Sequence, residues 1–203
     1  MADKKIDKIF GSNEKVSDFS FNERVADVFD DMVSRSVPMY KETMLASVDL
    51  GKHFIKQNTN IIDIGCSTGT LLNLCSQTYD GNKFNFIGID SSQAMLNKAK
   101  NKIKASKNFS NIKFKHQDIE KSIDISNASL IFMNYTLQFV RPLNRQKLIK
   151  EIYKGLNENG AFILIEKVLG NDSLFNRIYI DLYFKYKSSV GYSDKEIKKK
   201  ERL

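Results

Sequence analysis

The chain has 203 residues, 41% of them hydrophobic and 28% charged, which is material for one ordinary globular core. No apolar run reaches the length of a membrane span; the strongest is Ala161-Phe162-Ile163-Leu164-Ile165. The net charge of +8 is lysine scattered among asparagine and isoleucine, clustered only at Lys195 and Lys198-Lys199-Lys200 without interleaved aromatics, so a solvated surface is expected and direct nucleic-acid binding is not.

Residues 1–19 are polar and weakly patterned and are expected to form an N-terminal arm, with no apolar signal segment in Met1–Phe10. Over 20–35, Phe21, Val25, Val28, Phe29 and Met32 recur at helical spacing, with Ser20 and Glu23 placed for a capping box. After Pro38 a second helix runs from Tyr40 to Phe54, with Met44, Leu45, Val48 and Phe54 inward. Ile61-Ile62-Asp63-Ile64 then reads as a strand entering a glycine loop, followed by a helix with Leu71, Leu72, Leu74 and Cys75 inward. Phe84–Asp90 is a second strand, and Ser91 or Ser92 caps a helix burying Ala94, Met95, Leu96, Ala99 and Ile103. Asn111–His116 and Ser129–Met133 are the third and fourth strands. Pro142 opens a helix through Leu156, and Asn159-Gly160 turns into a fifth strand, Ala161–Leu169. Asp172–Val190 is a last long helix, rich in apolar residues. Alternation of strands and helices predicts an α/β, Rossmann-like parallel sheet of about five strands with right-handed crossovers. The expected organisation is a single domain over 20–203: N-terminal helices (20–55), the sheet core (60–169) and a C-terminal helical segment (172–203).

Ligands of such sheets bind at the carboxyl ends of the strands, and several unusual polar residues fall there. Asp63-Ile64-Gly65-Cys66-Ser67-Thr68-Gly69 turns sharply from strand to helix, letting a ligand approach backbone and free N–H groups. Its Gly-x-Ser-x-Gly spacing differs from the dinucleotide fingerprint and suits a ligand without pyrophosphate. It also contains a hydrolase-like elbow centred on Ser67, but His116, the sole histidine downstream, precedes most candidate acids, so a serine triad is discounted. Asp90, ending the second strand 27 residues after Asp63, can accept from a ribose diol; the structural alternative is a helix-start aspartate. Asp118 and Ile119 suit an adenine amine and ring, or else a solvated loop. Asn134 offers an amide to an amino-acid moiety, or is a turn asparagine. Cys66 and Cys75 are expected as reduced thiols, and His53 and His116 lie in separate segments, so no metal is expected. Cytoplasmic residence is the default.

This set resembles the class I S-adenosylmethionine-dependent methyltransferase superfamily. It is more closely similar to the carboxy-S-adenosyl-L-methionine synthase family through Phe21–Ala26 with Val28–Met32, Arg35-Ser36-Val37-Pro38-Met39-Tyr40, Asn134-Tyr135-Thr136-Leu137-Gln138-Phe139, and Gly191-Tyr192-Ser193 with Glu196-Ile197. The resemblance implies an enzyme that converts S-adenosylmethionine and prephenate into carboxy-S-adenosylmethionine and phenylpyruvate, for wobble-uridine (5-oxyacetic acid) modification of tRNA. It implies a homodimer and cofactor-binding residues Tyr40, Gly65, Cys66, Ser67, Asp90, Ser91, Asp118, Ile119 and Asn134. The family's prephenate-binding arginine follows a lysine; here Lys200 is followed by Glu201, and Arg202, one position later, takes the substrate-binding assignment. Sheets of this family also close with a C-terminal strand hairpin, a pattern missing from this sequence. Two alternatives remain: a small-molecule methyltransferase, or a truncated, inactive cofactor-binding module.

Overall fold

The computed structural model describes residues 6, 7, 9, 20–80, 82–104 and 111–200, so most of the expected arm and Arg202 lie outside the described residues. The chain divides into two compact units, Glu42–Lys167 and a second formed by Met1–Lys41 with Val168–Leu203.

Glu42–Lys167 carries the sheet. Its strands are β1 (Thr59–Ile64), β2 (Phe84–Asp90), β3 (Ile112–His116), β4 (Ala128–Asn134) and β5 (Leu156–Ile165), all parallel, in the order β3-β2-β1-β4-β5. The order reverses direction between β1 and β4, which leaves a crevice at their carboxyl ends. Strands β1, β2 and β4 are buried on both faces, as parallel strands must be when helices cover them. On one face Ile62, Ile64, Ile87, Ile89, Ile131 and Met133 pack with Val140, Leu148 and Ile152. The last two come from α5 (Pro142–Gly155), which starts at its proline as expected.

Helices α3 (Thr70–Thr78) and α4 (Gln93–Lys104) follow β1 and β2; α4 is capped by Ser92, whose Oγ accepts from the Met95 N–H at 3.2 Å. Helix α2 (Tyr40–Gly51) ends three residues before the expected Phe54, and its Leu45 is exposed where Met44 and Val48 are buried. The fifth strand is displaced from its expected bounds. It begins at Leu156, because Asn159, at φ 59°, is absorbed as an irregularity in the ladder to β4 instead of ending a turn, and it stops at Ile165.

The second unit contains α1 (Glu23–Ser36), α6 (Ser173–Ser189) and α7 (Asp194–Lys200). The cap of α1 is Asn22, whose side chain accepts from the Val25 N–H at 3.1 Å. The cap lies two residues later than the expected Ser20 box requires. Asp172 caps α6 by accepting from Leu174 and Phe175. A buried polar cluster joins distant parts of the sequence. Arg35 donates to Asp31 through Nε and Nη2 at 2.9 and 2.8 Å, and to the Asp7 carbonyl at 3.0 Å. Tyr192 donates to Asp7 Oδ2 at 2.8 Å, lies 3.2 Å from Ser36 Oγ and sits under the Arg35 guanidinium, 4.3 Å from ring centre to Cζ. Tyr183 donates to the Ser36 carbonyl at 2.8 Å. The stretches Arg35–Tyr40 and Gly191–Ser193, distant in sequence, thus meet in one cluster.

Candidate functional site at the carboxyl ends of the strands

The loop after β1 is fastened onto the end of β2. Gly65 and Cys66 donate to the Ile89 carbonyl at 2.8 and 3.0 Å, and the Ser67 N–H donates to Asp90 Oδ2 at 2.9 Å. The other carboxylate oxygen of Asp90 accepts from the Ser92 N–H at 2.8 Å. The Ser91 backbone N–H acts on the same carboxylate, which has about four acceptor positions and so keeps acceptor capacity. Burial pushes the Asp90 carboxyl upward, opposed by the backbone donors and by His116. His116, opposite Asp90 in the ladder, places Nε2 2.8 Å from the Ser91 carbonyl oxygen.

Gly65 has φ 74°, in the left-handed region that favours glycine, and a side chain there would collide with Thr136. The turn after β4 therefore packs directly on the loop. Thr136 Oγ1 donates to the Asn134 carbonyl at 3.1 Å, and the Asn134 side-chain amide donates to Met44 Sδ at 3.5 Å. A thioether can only accept, so this contact turns the Asn134 Oδ1 away from it, and that oxygen is buried with no partner among the described residues.

Asp63 is 3% exposed and its carboxyl has no hydrogen-bonding or ionic partner among the described residues. Burial, with the Asp90 carboxylate adding to the effect, pushes it up to about 8. Beyond β3, the Gln117 N–H donates to the Asp90 carbonyl at 3.0 Å, which ties the next segment to the same place. There Asp118 accepts from the Glu120 N–H at 3.1 Å and pairs with Lys121 at 3.1 Å, which holds its carboxyl below the ordinary range. Ile119 is partly buried against the core.

The structure thus gathers Gly65, Cys66, Ser67, Asp90 and Ser91 by direct bonds, and adds Asn134 through Thr136 and Asp118 through Gln117. Tyr40 falls in the second unit, at the start of α2. Met44 and Thr136 are contributors that sequence reasoning missed: each acts by touching a residue distant in the chain. Among the described residues no group of three His, Cys, Asp or Glu side chains could hold a metal ion, and no helix is long and apolar enough to cross a membrane.

A parallel sheet in this order, with an acidic glycine loop fastened to an aspartate at the end of β2, defines a Rossmann-like domain of the class I methyltransferase type. Residues 55–198 match the family model described as a methyltransferase domain. Among solved structures, a putative S-adenosyl-L-methionine-dependent methyltransferase from Methanococcus maripaludis is similar in fold, with TM-score 0.62 and 21% identity over 85% of this chain and 76% of that one. A DhpI-SAM-HEP complex is similar with TM-score 0.58 and 14% identity, over 77% of this chain and 67% of that one. At the level of sequence, the carboxy-S-adenosyl-L-methionine synthase of Methylococcus capsulatus is 43% identical over 196 residues, 96% of this chain and 81% of the relative. The chain belongs to the carboxy-S-adenosyl-L-methionine synthase family.

Proposed function

We propose that the chain binds S-adenosylmethionine in this crevice and, with prephenate, makes carboxy-S-adenosylmethionine and phenylpyruvate. The observation that carries the reading is the Asp63–Gly69 loop bonded through Ser67 to Asp90, in a chain of this family. Asp90 takes the ribose diol, Asp118 the adenine amine with Ile119 against the ring, and Asn134 the amino-acid portion. The Gly65-Cys66-Ser67 backbone, Ser91 and Tyr40 complete the cofactor set, and Arg202 is assigned to the prephenate carboxylate.

The chemistry needs no redox partner. A sulfonium acidifies its methyl group, which gives up a proton to become an ylide. Prephenate releases one carboxyl group as carbon dioxide and its hydroxyl as hydroxide, leaving phenylpyruvate. The ylide carbon forms a bond to carbon dioxide, and hydroxide and the methyl proton make water. Charge and atoms balance, and the protein's part is to hold the two substrates in register. The product then supports wobble-uridine modification of tRNA through a partner enzyme, in the cytoplasm. A homodimer fits the exposed apolar face of α6.

Incubation with S-adenosylmethionine and prephenate, followed by mass spectrometry, is expected to show the carboxylated cofactor and phenylpyruvate. S-adenosylhomocysteine as the main product, with prephenate untouched, would assign the chain to methyl transfer instead.

A further inference from the structure

We propose that Lys102 is a positioning residue that locks the far end of the cofactor loop onto α4. The proposal rests on the reading of that loop as the S-adenosylmethionine site. Gly65, Ser67 and Gly69 all lie in the left-handed region, at φ 74°, 48° and 73°. A backbone so placed, with a serine among its left-handed residues, persists only where its surroundings over-determine it. The near half of the loop is determined by β2, through the bonds of Gly65 and Cys66 to Ile89 and of Ser67 to Asp90.

The far half is held from α4. Lys102 Nζ donates to Thr68 Oγ1 at 3.0 Å and to Thr70 Oγ1 at 2.9 Å, and the two hydroxyl oxygens are 3.4 Å apart. These threonines flank Gly69, so one ammonium spans the residue where loop becomes helix. Thr68 is 3% exposed. Beneath the same point, a Cβ on Gly69 would stand 3.1 Å from the Ala99 Cβ and 3.4 Å from Ile103. Ala99, Lys102 and Ile103 share one face of α4 by helical spacing, so the lysine and the apolar seat act together.

An ammonium has three donors and no acceptor, and can serve both threonines at once. The positive end of the α3 dipole does not attract a cation. The bonds to Thr68 and Thr70 place the ammonium at this turn, and the work proposed for Lys102 is geometric: holding the loop in the shape on which the cofactor reading rests.

The full chain is the test system, with cofactor binding followed by calorimetry and turnover by product mass. Lys102→Met keeps the stem and removes the donors. It is expected to raise both Kd and KM for S-adenosylmethionine about tenfold, with kcat within about twofold and KM for prephenate unchanged. Lys102→Arg is expected to restore most of the affinity. Thr70→Val should weaken binding in the same direction, and the Lys102→Met/Thr70→Val double variant should be no worse than Lys102→Met, because both changes remove one tie. Thr70→Val also keeps the question answerable should Lys102→Met fail to fold. Unchanged cofactor affinity in a folded Lys102→Met, or strict additivity with Thr70→Val, would overturn the proposal alone. Failure of the unaltered chain to bind S-adenosylmethionine would overturn the reading of the loop, and the proposal with it.

Discussion

Asp90 and Asp63 are electrostatically coupled carboxyls with different surroundings. Asp90 is already engaged by backbone donors of Ser67, Ser91 and Ser92, and the proposed diol contact would use its remaining acceptor capacity. Replacing it by alanine is expected to weaken cofactor binding by about 1.5–3 kcal/mol, the range for hydrogen bonds to a charged group. Calorimetry showing wild-type affinity in Asp90→Ala would remove it from the site. Asp63 predicts a pH dependence. Its carboxyl lies at about 8 in the folded protein against an ordinary value of 3.8, so the folded state holds a proton that the unfolded chain releases. The associated stability is fully present below pH 4 and is lost as pH rises through 8. Denaturant titrations from pH 5 to pH 8 should therefore show a contribution that falls with pH, and a flatter profile in Asp63→Asn. Equal slopes in the two proteins would contradict this origin.

At the scale of elements, the loop and the polar cluster are the vulnerable parts. Gly65→Ala combines a left-handed backbone with a collision against Thr136. It is expected to destabilise the chain by about 2–4 kcal/mol, from left-handed strain and overpacking together. Thermal unfolding measures the loss, and a Gly65→Ala midpoint equal to wild type would refute the contact. In the other unit, Arg35→Met leaves Asp31, 8% exposed, without its guanidinium. The expected cost is about 3–5 kcal/mol, the range for breaking a buried pair. Tyr192→Phe, which removes the hydroxyl contacts to Asp7 and Ser36 and keeps the ring, should cost about 1–2 kcal/mol; denaturant midpoints separate the two. These features also mark where sequence reading stops. Strand β2 was legible residue for residue, since its apolar run is bounded by a cap serine. Helix α3 was legible for the same kind of local reason. The start of β5 was not, because an Asn-Gly pair marks a turn locally but is tolerated as a ladder irregularity when the neighbouring strand allows it. The tie from Lys102 to Thr68 and Thr70 is invisible to periodicity, which sees only a lysine on a solvated helix face. The upward shift of the Asp63 carboxyl likewise depends on strands that bury it.

For the whole molecule, the outward face of α6 matters most. Leu174, Phe175, Tyr179 and Leu182 are all more than half exposed, a contiguous apolar stripe of the kind that marks an interaction surface. Sedimentation over a range of concentrations is expected to show self-association that Phe175→Glu with Leu182→Glu abolishes; a concentration-independent monomer would dismiss the homodimer. The polar cluster has a temporal consequence as well. The hydrogen bond from Tyr192 to Asp7 closes a loop of 185 residues, and the unit it belongs to is assembled from both sides of the sheet-bearing segment. During synthesis, the sheet can be completed while α1 still waits for the residues that will cover Asp31 and Arg35. Helix α1 therefore emerges early and matures late. The long closure is therefore expected to come last, once Tyr192 has been translated and can reach Asp7.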